Sequence, residues 1–211
     1  MLTQREYWSI EALNFDAIYS HQKSKLGSQL DKVFRWAMYK RFEYAMLKSE
    51  PIHKKTFLDA GCGTGLYSLE LGRRGALRVV GIDVSPTMLT ICRNRAKAEH
   101  LDARTDFILT DIMDFNTDHL FDICIGMGLL DYIKNPLPAL IRMRKLTKEK
   151  VMLSFPVLWN WRTIPRKIRL HLRGCPVYFY TERDVRRLMK DAGFRHVEIR
   201  RMGPMYFVTG S

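Results

Sequence analysis

The sequence predicts an α/β fold: a doubly wound, mostly parallel sheet of seven strands whose last strand runs antiparallel. Three observations predict it. From residue 56 to 157, short β-branched and aromatic runs alternate with amphipathic helical runs, the pattern of successive βαβ units. A glycine-rich turn, Asp59-Ala60-Gly61-Cys62-Gly63-Thr64-Gly65, stands where the first strand of that series passes into its first helix. Near the C-terminus two strand-like runs are joined only by Gly203-Pro204, too tight for a parallel crossover.

The elements follow in order. Apolar residues recur at Leu30, Val33, Phe34, Ala37, Met38, Phe42, Ala45 and Met46, so a helix is expected over about 25–47, packed on the core or covering its mouth. Pro51 ends it, and a strand over 56–58 enters the glycine turn. A helix over 66–74 is closed by Gly75, and a strand over 78–82 ends at Asp83. Ser85 as N-cap and Pro86 at the first helical position start a helix to about residue 98. Strands follow over 105–109 and 121–126, a helix capped by Asn135-Pro136 runs to about residue 146, and a fifth strand covers 151–155. A helix over 182–192, capped by Thr181 and stopped by Gly193, precedes strands over 195–200 and 205–208.

No repeat, low-complexity tract or Gly/Ser linker divides the 211 residues, so one domain is expected. Within it, 1–55 form an N-terminal helical extension, 56–157 the core, 158–180 a basic amphipathic insertion, and 181–211 a C-terminal helix with two strands. No apolar run is long enough to span a bilayer and the N-terminus lacks the layout of a signal peptide, so a cytoplasmic protein is expected. Cys62, Cys92, Cys124 and Cys175 include no C-x-x-C pair, so they read as reduced, mostly buried thiols, and no metal site is expected.

The net charge of +13 is concentrated at the ends: residues 1–56 carry +4, 57–157 carry +1 and 158–211 carry +8. Such a field attracts anions, whether a small acidic molecule, an acidic membrane surface or nucleic acid.

The chemistry is carried by the glycine turn and Asp83. Glycines at a strand-to-helix turn permit unusual dihedrals and let a ligand approach bare backbone. Asp83, 22 positions after Gly61 and at the end of the next strand, suits hydrogen bonding to two ribose hydroxyls. A phosphate-cradling loop would need Gly-Lys-Ser/Thr, which is absent; a dinucleotide turn expects glycine where Leu66 stands. Asp59 would repel a pyrophosphate, whereas it suits a ligand carrying an ammonium group. The residues therefore favour an amino-acid nucleoside.

With LDAGCGTG at 58–65 and GIDVS at 81–85, the chain resembles the class I S-adenosylmethionine-dependent methyltransferases over about residues 56–157. The resemblance implies a Rossmann-like fold, S-adenosylmethionine as cofactor and S-adenosylhomocysteine as product. It implies that Gly61, Cys62, Gly63 and Gly65 line the methionine moiety with Asp59 near its amino group. Asp83 and Val84 would lie at the ribose, Asp111 and Ile112 would bracket adenine, and Met127 would flank the sulfonium. Asp131 and Tyr132 stand where this family places acceptor-facing residues, and Tyr19 and His21 are candidates to close over the cofactor, His21 as a catalytic group and Tyr19 as a substrate contact. The stretches Phe-Asp-x-Ile-Tyr-Ser at 15–20, LDAGCGTGLYSLELGRRGA at 58–76 and Leu-Ser-Phe-Pro at 153–156 also resemble the magnesium-protoporphyrin O-methyltransferase branch, whose acceptors include a carboxylate on an apolar ring. The last 50 residues do not match that branch.

In Trp159–Arg173, helical spacing places Arg162, Arg166, Arg169 and Arg173 together, opposite Ile164, Ile168 and Leu172. Three readings compete: a lid with solvated arginines, a site for an anionic substrate, and contact with acidic lipid aided by Trp159 and Trp161. The expected function is methyl transfer to oxygen on a small anionic or lipid-linked acceptor. RNA methylation is the alternative, ranked lower because no RNA-binding module is visible; a non-catalytic cofactor-binding protein that docks to an acidic membrane or partner is the other.

Overall fold

The computed structural model describes Glu6, Trp8, Ile10 and residues 29–159 and 175–211, with the backbone alone over 29–35. The order of elements is α1 (Gln29–Ser49), β1 (Thr56–Ala60), α2 (Leu66–Arg73), β2 (Arg78–Asp83), α3 (Pro86–Ala98), β3 (Thr105–Leu109), β4 (Phe121–Gly126), α4 (Leu137–Lys145), β5 (Thr147–Pro156), α5 (Glu182–Asp191), β6 (Val197–Met202) and β7 (Met205–Gly210). The seven strands form one sheet in the order β3-β2-β1-β4-β5-β7-β6. Pairings from β3 to β5 are parallel, whereas β7 runs antiparallel to both β5 and β6. The fold is thus Rossmann-like, as the sequence predicts, with β7 inserted between β5 and β6.

Side chains alternate across the sheet because the strand period is two. In β1, Phe57 faces a cluster with Ala45 and Met46 of α1 and Tyr67 and Leu71 of α2, while Leu58 and Ala60 face Ala139, Leu140 and Met143 of α4 and Val185 and Met189 of α5. Asp59 therefore shares the face of Phe57, and Ser154 in β5 shares the face of Met152, which packs in the same cluster. Two polar side chains are placed beneath α1 and α2 by strand parity alone.

The helix starts follow local chemistry. Ser85 accepts a hydrogen bond from the Met88 amide at 3.3 Å with Pro86 next in line. Thr181 and Asp184 form a reciprocal capping box. Thr181→Ala removes that box on an otherwise exposed helix start and is expected to cost about 1 kcal/mol. For a chain of this size that lowers the melting temperature by roughly 2–4 °C, readable by calorimetry.

Several boundaries differ from expectation. β1 extends through Ala60, so Asp59 is a strand residue, and β5 begins at Thr147 because its charged first half, Thr147-Lys-Glu-Lys150, still pairs with β4. The cap of α4 is Pro136 rather than Asn135, with no side-chain capping bond, since the proline ring carries no oxygen that could accept from the first turn. β6 is shifted to 197–202 and β7 reaches Gly210, because Arg195 and His196 instead donate to the Ser211 carbonyl. α1 ends at Ser49, two residues past the expected end, and the expected start near residue 25 lies outside the described residues. Among the described residues no helix is long and apolar enough to cross a membrane.

Candidate functional site

The glycine turn closes on the end of β2. The Gly61 and Cys62 amides donate to the Ile82 carbonyl at 2.8 and 3.0 Å, and Gly65 donates to the Cys62 carbonyl at 3.0 Å. Gly61, Gly63 and Gly65 all hold positive φ, at 70°, 55° and 83°, a conformation that disfavours other residues by about 1–2 kcal/mol. A Cβ on Gly61 would stand 3.1 Å from the Leu129 side chain, so the turn and the loop after β4 approach each other through a residue that has no side chain.

Asp83 is built into the same turn. Its Oδ2 accepts from the Gly63 amide at 2.9 Å and its Oδ1 from the Ser85 amide at 2.9 Å. The two bonds fix the carboxylate plane and leave each oxygen a second lone pair. Burial pushes its pKa above the ordinary carboxylate value, opposed by the Ser85 and Gly63 amides. Val84 beside it is half-buried.

Asp59 is fully buried one turn below. Ser68 of α2 donates to its Oδ2 at 2.6 Å. Burial raises its pKa to about 6, against the Ser68 bond that holds it down and with a smaller upward push from the Asp83 charge. Cys62 and Cys92 meet behind the turn, the Cys92 thiol donating to the Gly63 carbonyl at 3.0 Å; contact with Cys92 and burial hold the Cys62 thiol in its neutral form. All four cysteines are buried and none is in a disulfide.

Asp111 follows β3 and is exposed, its Oδ1 accepting from the Met113 amide at 2.8 Å. Ile112 beside it is buried in the sheet-face cluster of α4 and α5. After β4, Met127 is buried, packed with the α1 and α2 cluster, and Gly128 turns the chain at φ 82°. Asp131 is buried, and its carbonyl accepts from the Tyr178 amide at 2.8 Å. Tyr180 donates to the Leu130 carbonyl at 3.1 Å, and burial together with the Asp131 charge raises the pKa of that phenol. Tyr132 is half-buried and meets Trp8 edge-on at 4.9 Å, in a cluster with Cys175, Val177 and Phe179. The segment 175–180 thus holds Asp131 and Tyr132 at the strand end that also carries the glycine turn. Tyr19, His21, Trp161, Arg162, Arg166, Arg169 and Arg173 lie outside the described residues, and among the described residues no His/Cys/Asp/Glu cluster could hold a metal ion.

One residue of this site escapes the sequence pattern. Arg41 of α1 is buried, donating from Nε to the Tyr67 hydroxyl at 3.0 Å and from Nη1 to the Ser154 hydroxyl at 3.4 Å. Ser154 also accepts from the Gly128 amide at 2.8 Å, and Nη1 lies 3.7 Å from where a Gly128 Cβ would stand. The guanidinium therefore reaches the start of α2 and the loop after β4 together. The sequence does carry a signal for it: Arg41 lies one turn from Ala37, Met38 and Ala45, in the middle of the buried stripe of a helix.

The donor set matches an amino-acid nucleoside carrying both charges. Buried Asp59 suits an ammonium, Arg41 a carboxylate, the open lone pairs of Asp83 a pair of hydroxyls, and the side-chain-free turn between them the chain that connects these groups.

The chain is similar to known methyltransferases. Residues 57–150 match the family of methyltransferase domains. The chain is 28% identical over 157 residues to demethylmenaquinone methyltransferase of Porphyromonas gingivalis, covering 70% of this chain and 63% of that protein. It is 35% identical over 96 residues to tRNA U34 carboxymethyltransferase of Actinobacillus succinogenes, 44% of this chain and 29% of that one. It is 40% identical over 79 residues to magnesium-protoporphyrin O-methyltransferase of Rhodobacter capsulatus, 37% of this chain and 34% of that one. The chain thus spans between about three tenths and just under two thirds of the length of these relatives. In structure it is similar to magnesium protoporphyrin IX methyltransferase from Synechocystis PCC 6803 with bound S-adenosylhomocysteine, at a TM-score of 0.79 and 19% identity, covering 98% of this chain and 96% of that one. Residues 57–150 thus match a methyltransferase domain, and the whole chain, with its antiparallel β7, shares the fold of that solved methyltransferase.

Proposed function

We propose that the protein transfers a methyl group from S-adenosylmethionine to an oxygen of a small anionic or lipid-linked acceptor. What supports the cofactor half is the glycine turn with Asp83 bonded into it and buried Asp59 beside it, while Arg41 reaches Tyr67 and the loop after β4. When bound, S-adenosylmethionine supplies a methyl group on a sulfonium, activated for in-line displacement. Asp83 would hold the ribose hydroxyls, Asp59 the ammonium and Arg41 the carboxylate of the methionine moiety. Gly61, Cys62, Gly63 and Gly65 would give it bare backbone, Asp111 and Ile112 would bracket the adenine, and Met127 would lie against the sulfonium. Methyl transfer needs alignment above all, and a base only where the acceptor must lose a proton. Asp131 and Tyr132 are the candidates for that role, being held by 175–180 at the same end of the sheet; His21 is proposed to act with them and Tyr19 with Arg162, Arg166, Arg169 and Arg173 to contact the acceptor.

The cofactor half is tested by calorimetry with S-adenosylmethionine, where absence of binding at millimolar ligand would overturn it. Arg41→Ala is expected to weaken binding about tenfold or more, since it removes a charge-assisted hydrogen bond, with Arg41→Lys intermediate. The acceptor half is tested by incubating the protein with methyl-labelled cofactor and separate small-molecule, lipid and RNA fractions. Label in the first two supports the proposal. Label in RNA favours a second reading, nucleic-acid methylation, which rests on the net charge of +13 and the similarity to a tRNA-modifying relative.

A further inference from the structure

The strand ends that carry the glycine turn and the loop after β4 also carry an exposed aromatic corner. Trp159, three residues past β5, is 78% exposed, and Trp36 and Tyr39 near the N-terminal end of α1 are 58% and 61% exposed. Exposed tryptophans in pairs are unusual for a surface that meets only water. The described contacts bring them to one place. Arg201 donates to the Trp159 carbonyl at 3.2 Å, the Val157 amide donates to the Pro204 carbonyl at 2.9 Å, and the β6–β7 turn at Gly203 lies against Ala37, the neighbour of Trp36. Pro156 pairs with Met205 at this end of the sheet, and Arg41, one turn from Ala37 and on the inner side of α1 from Trp36, reaches Gly128. The corner is therefore a rim of the candidate active site.

The charge at this rim is positive. Lys40 is neutralised by Glu43 at 2.8 Å, but Arg200 and Arg201 are exposed and have no carboxylate partner among the described residues; as neighbours on the edge strand β6 they leave it on opposite faces, Arg200 over the Tyr44 ring at 4.8 Å and Arg201 to the Trp159 carbonyl. Residues 158–211 hold +8 of the net +13. Amphipathic aromatic rings beside such arginines are the composition that seats at a membrane–water interface, where the rings enter the headgroup level and the cations meet anionic lipid.

We propose that Trp36, Tyr39 and Trp159, with Arg200 and Arg201, form a surface that docks on an acidic phospholipid bilayer and holds the mouth of the site against it. This rests on the reading of the site as a methyltransferase and sharpens its acceptor: an amphiphile dissolved in the bilayer would enter along the seated rim without crossing water.

The full-length protein is tested by co-sedimentation with vesicles of phosphatidylcholine containing about a third phosphatidylglycerol, against vesicles of phosphatidylcholine alone. Binding to the acidic vesicles is expected, weakened when salt is raised from about 0.1 M to about 1 M. Replacing Arg200 and Arg201 by alanine is expected to lower the partition coefficient about twenty-five-fold, roughly fivefold per charge. The double change Trp36→Ala and Trp159→Ala is expected to lower it about tenfold at unchanged charge. Cofactor affinity and melting temperature, measured on each variant, show that the fold persists. No sedimentation with acidic vesicles, binding unaffected by the tryptophan changes, or retention of structured RNA in place of vesicles overturns the proposal. Vesicle binding by a protein that fails to bind S-adenosylmethionine would leave this surface standing and sink the proposed function, whereas the converse result would sink the surface alone.

Discussion

Replacing Asp83 by alanine is expected to weaken S-adenosylmethionine binding about a hundredfold, a loss of about 2.7 kcal/mol. Two hydrogen bonds from ribose to a carboxylate would disappear, each worth roughly 1.5–3 kcal/mol where the acceptor is charged and shielded from water, with part regained through solvent. The carboxylate also braces the turn through the Gly63 and Ser85 amides. Asp83→Asn halves both roles: its one oxygen still accepts from one turn amide and one hydroxyl, while its NH2 faces the other turn amide and can accept from neither. Calorimetry should rank affinity as wild type, then asparagine, then alanine. Unchanged affinity in the alanine variant would remove Asp83 from the site.

Asp59 is expected to make cofactor binding depend on pH. Its pKa is raised by burial to about 6, so an ionised partner for the ligand's ammonium is available only above that pH. The dissociation constant should be flat above about pH 6 and rise roughly tenfold for each step of one in pH below it, with proton release on binding, as linkage requires. Asp83, also raised by burial, acts in the same direction. For the unliganded protein the sign is opposite. A carboxyl whose folded pKa exceeds its unfolded value of 3.8 stabilises the fold while protonated, and that contribution is lost as pH rises from about 4 to about 6. The gap between the folded and unfolded values corresponds to about 3 kcal/mol at most. Asp59→Asn, which keeps the Ser68 hydroxyl as donor, should therefore bind the cofactor poorly yet melt higher than wild type above pH 6. The difference should vanish at about pH 4, where both side chains are neutral. A variant with the pH profile of the wild type would show that Asp59 does not face the ligand.

Both residues are legible in the sequence because they belong to a local device. A turn that needs positive φ at Gly61, Gly63 and Gly65 is recorded in the chain as glycine, and an acidic residue at the end of β2 is recorded by its distance along it. The same holds for the caps at Ser85 and Thr181, where a hydroxyl meets an amide three residues away. Asn135 has the composition of a cap without the bond, since a side chain that suits a helix start is also ordinary in a loop, and only the observed bonds separate the two. Arg41 is marked in the sequence only by its place in the apolar stripe of α1; its partners are 26 and 113 residues away, so what it reaches is not legible there.

The sequence by itself determined the alternation of strands and helices, the antiparallel end of the sheet, the glycine turn and its carboxylates. These rest on period, turn chemistry and short-range hydrogen bonds. Only the tertiary structure decided that Asp59 and Ser154 share the face covered by α1 and α2, that Arg41 reaches across that face to the loop after β4, and that 175–180 hold Asp131 beside it. It also brought Ala37, Trp159 and the β6–β7 hairpin together from three distant segments. Strand parity and packing between elements fix those neighbours, and neither is written in the order of residues along the chain.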